Sequence, residues 1–227
     1  MNIHRFRKSV LLVLLLLGLV DRTRAEGNLP YVDEKLIHFG FSLGMNAMDF
    51  NVTPNDVARV SSLSPGFSVG IISDLRLNRY MNLRFTPTLH FGDRQISYQA
   101  PELKPITISS IPITLPVYIK YSAERKDNYR PYLIVGGGAS YDLGTNKSPS
   151  SDNPVVLNPL DFFTEFGVGC DIYFSFFKLS PELKYTIGFN PMLVHGDNAG
   201  LSANDQKYSS VLTNLKSRML TLVFNFE

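Results

Sequence analysis

The sequence predicts an all-β protein: an eight-stranded antiparallel β-barrel of the outer-membrane type that spans a membrane. Three observations predict it: a repeated two-residue alternation, connections of alternating length, and the content of the polar face. Over Ile37–Ala47, apolar residues alternate strictly with polar or small ones, as in a strand with one apolar face. The same pattern recurs in seven further segments, at 67–71, 81–91, 111–122, 132–142, 165–176, 179–189 and 220–226.

The connections between these segments are short and long in turn. The short ones lie at 77–79, 124–129 and 176–178, and the long ones, rich in turn-forming residues, at 51–65, 95–109, 144–159 and 191–214. Antiparallel strands therefore place all the short turns at one end. Outer-membrane barrels have this organisation, with short turns in the periplasm and long loops outside. We expect both termini of the mature chain to be periplasmic.

The polar face indicates an enclosed interior. Its many glycines would weaken a solvated strand without benefit, but small residues suit the crowded inside of a barrel of about eight strands. It also carries a balanced set of charges at mid-strand, which must be paired if they are enclosed. We expect these charges to form a polar network in a filled lumen; the alternative is a soluble sheet with solvated charges. The six residues are Arg84, Lys120, Glu165, Asp171, Glu182 and Lys184.

The N-terminus has the features of a secretory signal. A basic opening precedes the apolar run Val10–Val20, which is shorter than the roughly 20 residues of a spanning helix. We expect cleavage after Ala25, which leaves residues 26–227 as the barrel domain. That domain holds 17 basic and 19 acidic side chains, because residues 1–25 contain five of the 22 basic and one of the 20 acidic groups. This balance argues against a nucleic-acid partner.

Nothing in the sequence marks an enzyme. The Gly136–Gly138 run follows a strand but no helix follows it, so it is not a phosphate-binding loop. His90 and Ser97 are the nearest candidates for a base and a nucleophile, and no motif surrounds them. Cys170, the single cysteine, lies on the apolar face and excludes an internal disulfide framework. We therefore expect no catalytic, metal or cofactor site and no small-molecule substrate.

Three stretches together resemble the PorT family of the type IX secretion system of Bacteroidota. They are His38–Asn46, Asn82–Gly92 and Ile119–Tyr132. The resemblance implies a non-enzymatic outer-membrane component needed to export proteins with C-terminal sorting domains, and in some relatives for gliding. It also implies two kinds of partner: outer-membrane lipid, and other secretion-system proteins in the outer membrane and periplasm.

An eight-stranded barrel is too narrow to conduct a protein, so this resemblance suggests an accessory subunit that acts through contacts. The short turns would then meet periplasmic partners, although their charges are explained equally well by solvation and topology anchoring. Rival functions are an adhesin, a structural barrel, or a lipid-modifying enzyme. The candidate contact residues are Arg76, Arg79, Tyr80, Glu124, Arg125, Lys126, Asp127 and Arg130.

Overall fold

A computed structural model describes residue 29 and residues 32–53, 58–60, 64–98, 106–144, 157–192 and 214–227. The predicted signal at 1–25 lies outside these ranges. A 3₁₀ turn at Val32–Glu34 precedes the first strand. The strands are β1 (Ile37–Thr53), β2 (Ala58–Val60), β3 (Ser64–Arg76), β4 (Met81–Phe85), β5 (Thr88–Tyr98), β6 (Ile106–Ser110), β7 (Pro112–Ser122), β8 (Tyr129–Asp142), β9 (Leu160–Tyr173), β10 (Lys178–Gly188) and β11 (Asn214–Phe226). No helix in the described part of the chain is long and apolar enough to cross a membrane.

The described strands close into an antiparallel barrel. β1 pairs with β3 on one side and with β11 on the other, where Phe41 lies opposite Phe226. β4 and β5 pair with β3 in one continuous register and count as one barrel strand, as do β6 and β7 against β5. β2 pairs with β5 beyond the pairing of β3 and extends the barrel strand of β3. The eleven described strands thus form eight barrel strands, and the predicted fold class is confirmed.

Proline explains why one predicted strand is divided in two. Thr86 and Pro87 separate β4 from β5, and Pro116 lies opposite this break in β7. A proline has no N–H to donate to the ladder. The amide of Thr86 still reaches the carbonyl of Pro116 at 3.4 Å, and the carbonyl of Pro87 accepts from Ile71 at 3.1 Å. The register therefore passes through the break unchanged.

The barrel wall has its apolar side outside and its polar side inside. Large apolar side chains point outward and are exposed, for example Phe39 (70%), Ile71 (64%) and Leu133 (58%), whereas Ser42 and Thr221 point inward and are buried. A wall of this kind fits an apolar surrounding such as lipid. The alternation predicted which face of the wall the residues of these segments occupy. Ile134 is an apolar residue at a position of the polar face in the fifth segment, and it lies inside the barrel as its position predicts.

Glycines of the barrel wall allow neighbouring backbone and side-chain atoms to approach closely. A Cβ on Gly136 or Gly138 would lie 2.1 or 2.2 Å from a carbonyl oxygen of β7. Gly169 lies directly opposite Tyr132, and a Cβ there would be 2.4 Å from Cζ of the tyrosine ring. Small residues beside large ones therefore fill the interior, as the sequence suggested.

The strands extend further than predicted at the long-loop end. β1 has 17 residues, whereas a spanning strand needs only about 9–11. Residues 51–53, assigned to a loop, pair with residues 214–216 of β11. Outside a membrane-spanning segment both faces of a strand can be polar, so the alternation that predicts a strand fades there although the ladder continues.

Candidate functional site at the short-turn end

The end of the barrel that carries the short turns contains a buried group of paired charges around Arg84. The guanidinium donates to the carboxylate of Asp74, its register partner on β3, at 2.6 and 2.8 Å. It also pairs with Glu227 at 2.8 Å and lies 3.5 Å from Glu182. All four side chains are almost fully buried. Burial leaves these charges no water to interact with, so each depends on its partner.

A second pair joins β7, the neighbour of β4, to β9. The ammonium of Lys120 donates to both carboxylate oxygens of Asp171, at 2.8 and 2.9 Å, and lies 4.0 Å from the centre of the Tyr132 ring. The hydroxyl of Ser180 donates to the same carboxylate at 2.6 Å. The Tyr132 hydroxyl in turn donates to Glu182 at 2.7 Å and links this pair to the Arg84 group.

A third pair lies deeper in the barrel. Lys184 pairs with Glu165 at 2.8 Å, and Glu165 also accepts from the hydroxyls of Tyr118 and Thr186, each at 2.6 Å. Hydrogen bonds to an ionised acceptor are stronger than those between neutral groups, so these bonds offset the cost of burying the Glu165 carboxylate. The lysine is 4.0 Å from Glu182. The three groups therefore form one connected network across the interior.

The structure brings all six charged residues predicted for the interior into this network. Several further members of the network were not predicted from the sequence. Asp74 continues the alternation of β3 three residues beyond the predicted end of the segment. Lys178, which pairs with Glu227 at 2.9 Å, was assigned to a turn, and Glu227 itself follows the last strand. Extending each alternation by one or two steps would have found Asp74 and Lys178. The uncharged members missed include Tyr118, Tyr132, Ser180 and Thr186.

The network fills the interior at this level. Arg84, Tyr118 and Lys120 are each no more than 2% exposed. Nearer the long-loop end, a cavity of about 20 Å³ remains beside Arg94 and Asp161, and a space of this size holds roughly one water molecule. The described interior therefore offers a protein no path through the barrel.

The segment before β1 covers the short-turn end. Asp33 accepts from the Tyr173 hydroxyl at 2.8 Å and pairs with Arg130 at 3.5 Å. The guanidinium of Arg125 lies 3.8 Å from the centre of the Tyr173 ring and donates to the carbonyl of Leu29. Tyr173 and Arg130 belong to β9 and β8, across the barrel from β1. The chain therefore crosses the mouth of the barrel and caps it.

The predicted contact residues lie on two adjoining turns. Arg79 pairs with Glu124 at 3.3 Å, with both side chains exposed, and the Tyr80 hydroxyl donates to Glu124 at 3.1 Å. Arg130 donates to the carbonyls of Arg79 and Ala123, which ties the two turns together.

The other predicted contact residues differ in accessibility. Lys126 and Asp127 are exposed at the tip of the second turn. Asp127 has a φ of 54°, a conformation that aspartate and asparagine tolerate better than most residues. Arg125 is used by the cap, and Arg76 ends β3, where its amide donates to the carbonyl of Leu36. The freely accessible charges of this set are therefore at the turn tips.

The candidate base is buried inside the barrel. His90 points inward, with Nε2 3.2 Å from the hydroxyl of Thr114, and the side chain of Ser97 lies outside the described residues. Cys170 faces outward and is partly exposed. Within the described ranges, no group of three or more His, Cys, Asp or Glu side chains is placed to hold a metal ion.

The family model of the outer membrane protein beta-barrel domain matches residues 24–194. The chain belongs to this family. As an outer membrane protein beta-barrel domain it lies in the outer membrane, with its exposed apolar rows in contact with lipid. No curated protein matches the chain in sequence.

Two solved outer-membrane barrels are similar to this outer membrane protein beta-barrel domain. Neisserial surface protein A (NspA) is 11% identical, with a TM-score of 0.42, over 84% of this chain and 98% of its own. The N-terminal β-barrel domain of Pseudomonas aeruginosa OprF is 16% identical, with a TM-score of 0.33, over 81% of this chain and 96% of its own.

Replacing Lys120 by methionine should destabilise the barrel. The change leaves Asp171 charged and buried, and removing one partner of a buried pair typically costs about 3–5 kcal/mol. The free energy of unfolding would be measured by urea titration in lipid vesicles. Lys216→Met, which removes a partly exposed lysine of β11, is the control and should change stability by about 0.5 kcal/mol or less. Equal stability of the two variants would contradict a stabilising role for the pair.

A second prediction concerns pH and Glu227. Burial alone would raise the pKa of its side chain, but Arg84 and Lys178 outweigh this effect and hold the pKa below its ordinary value of 4.5. A carboxylate with a lowered pKa in the folded state stabilises that state above its unfolded pKa, and this contribution is lost as the pH falls through the folded value.

Glu227→Gln should therefore lower the free energy of unfolding at neutral pH, by about 1–3 kcal/mol. The difference between the two proteins should shrink as the pH falls below 4.5. Urea titrations at several pH values in vesicles would measure it. A difference that is constant from neutral to acid pH would show that the charge of Glu227 does not stabilise the fold.

Proposed function

We propose that this outer-membrane barrel is a non-enzymatic accessory component of type IX protein secretion, which acts through contacts at its short-turn end. The observation that supports this most is the filled interior: because charged and aromatic side chains occupy the lumen, the barrel can serve a secretion system only by binding its other members. The resemblance of residues 38–46, 82–92 and 119–132 to the PorT family is the reason for proposing the type IX system in particular.

The short-turn end is suited to such contacts because it is held rigidly. Arg130 joins two turns, and Asp33 fixes the cap across the mouth. Exposed charges of both signs, Lys126 and Asp127, project from this scaffold. On the turn between β9 and β10, Phe176 is 94% exposed. Aromatic side chains beside charges are typical anchors of protein interfaces.

We further infer that this end faces the periplasm. Both the start of β1 and the end of β11 lie here, together with the short turns, and short turns are periplasmic in bacterial outer-membrane barrels. Partners that contact the turns would then be periplasmic proteins or the periplasmic faces of other membrane components.

Deletion of the gene tests the proposal. Proteins with C-terminal sorting domains should accumulate in the periplasm, as measured by fractionation and immunoblotting. Normal export with lost surface binding would contradict secretion and support an adhesin. Normal export with altered lipid A or phospholipid would support a lipid-modifying enzyme.

A turn variant tests the contact surface separately. Lys126→Gln combined with Asp127→Asn and Phe176→Ser removes the exposed charges and the aromatic ring but spares Arg125 and Arg130, which hold the cap. Complementation with this variant should restore the barrel in the membrane but not export, and fewer partners should be recovered in pull-downs. Lys216→Gln, at the opposite end, should restore both. Full export by the turn variant would exclude this surface.

A further inference from the structure

The outer wall of the barrel contains an apolar groove. It has a volume of about 540 Å³, within the range of roughly 300–1,000 Å³ that is usual for ligand sites. Two neighbouring rows of outward side chains on β7 to β11 line it, and the strand backbone at Gly167 forms its floor. The principal lining residues are Tyr121, Leu133, Val135, Val168, Leu183 and Tyr185.

The groove begins at the short-turn end. Tyr121 is next to the last residue of β7, and the amide of the following Ser122 donates to the carbonyl of Tyr80 at 2.7 Å. The groove runs from there across the wall to Tyr185 and Leu220, well inside β10 and β11. A lipid acyl chain lying in the groove would therefore start at the membrane boundary and enter the hydrocarbon region.

Positive charge lies at the boundary end of the groove. The segments 76–80 and 123–130 hold five basic and two acidic residues, and adding the cap residues Asp33, Glu34 and Lys35 still leaves six against four. Arg79 lies beside Tyr80, and its side chain is 72% exposed. Its pair with Glu124 is exposed at 3.3 Å, and such pairs are weak enough to exchange for a phosphate.

We propose that this groove and Arg79 form a binding site for an anionic glycerophospholipid of the leaflet at the short-turn end. One acyl chain lies in the groove between the rows of β7 to β11, and the phosphate meets the guanidinium of Arg79 beside Tyr121. Basic residues at a membrane boundary attract anionic headgroups, and an arginine can bind a phosphate through two hydrogen bonds.

The test is lipid retention by the purified full chain, measured by native mass spectrometry after equilibration with phosphatidylglycerol or phosphatidylcholine. The wild-type protein should retain phosphatidylglycerol preferentially. Arg79→Gln should weaken this retention about fivefold, the effect expected of one arginine at a lipid surface. Lys216→Gln at the opposite end should leave it unchanged.

The groove has its own control. Val168→Trp fills it and should reduce retention of both lipids, whereas Ile71→Trp, on the opposite wall and also exposed on the outer face, should not. A shift on unheated gels confirms that each variant is folded. Equal retention of the two lipids, preference for lipopolysaccharide, or a dimer that Val168→Trp dissociates would each overturn the proposal.

Discussion

The pairing of buried charges is the constraint on which the rest of this structure depends. A barrel in lipid has to place its polar residues inside, where water is scarce, and an unpaired ion there costs several kcal/mol. The side chains of β3, β4 and the last residue meet this requirement at Arg84, and those of β7 and β9 meet it at Lys120 and Asp171. Each pair joins different strands, so the network also fixes their positions relative to one another.

The same network determines what the protein can do. Because it fills the lumen, function has to lie on the outer wall, at the short turns or at the loops. Glu227, at one end of the described chain, pairs with Arg84 in the network, and the segment at the other end caps the mouth of the barrel. A surface built on these contacts is rigid, which lowers the entropic cost of binding a partner.

The sequence predicted most of the wall because the side-chain period of a strand is two everywhere in it. This period alone identified the inward charges, including Lys184 and Glu165. It could not predict Asp33 in the cap, since the contact with Tyr173 arises only when the barrel closes and brings β9 opposite β1. The alternation also predicted an end for β3 that is too early, at residue 71. Beyond Ile71 both Ile72 and Asp74 point inward, so the inner face is no longer uniformly polar.

Contact of the apolar rows with lipid places the barrel in the membrane, and spin labels test this contact directly. A nitroxide attached to Cys170, or to cysteine at Leu133 in a Cys170→Ser background, would be examined in bilayers for collisions with oxygen and with a water-soluble nickel chelate. Both labels should collide mainly with oxygen, which concentrates in acyl chains, and a label at Lys126→Cys should collide mainly with the chelate. Preferential collision of the Cys170 and Leu133 labels with the chelate would show that the apolar rows do not contact lipid.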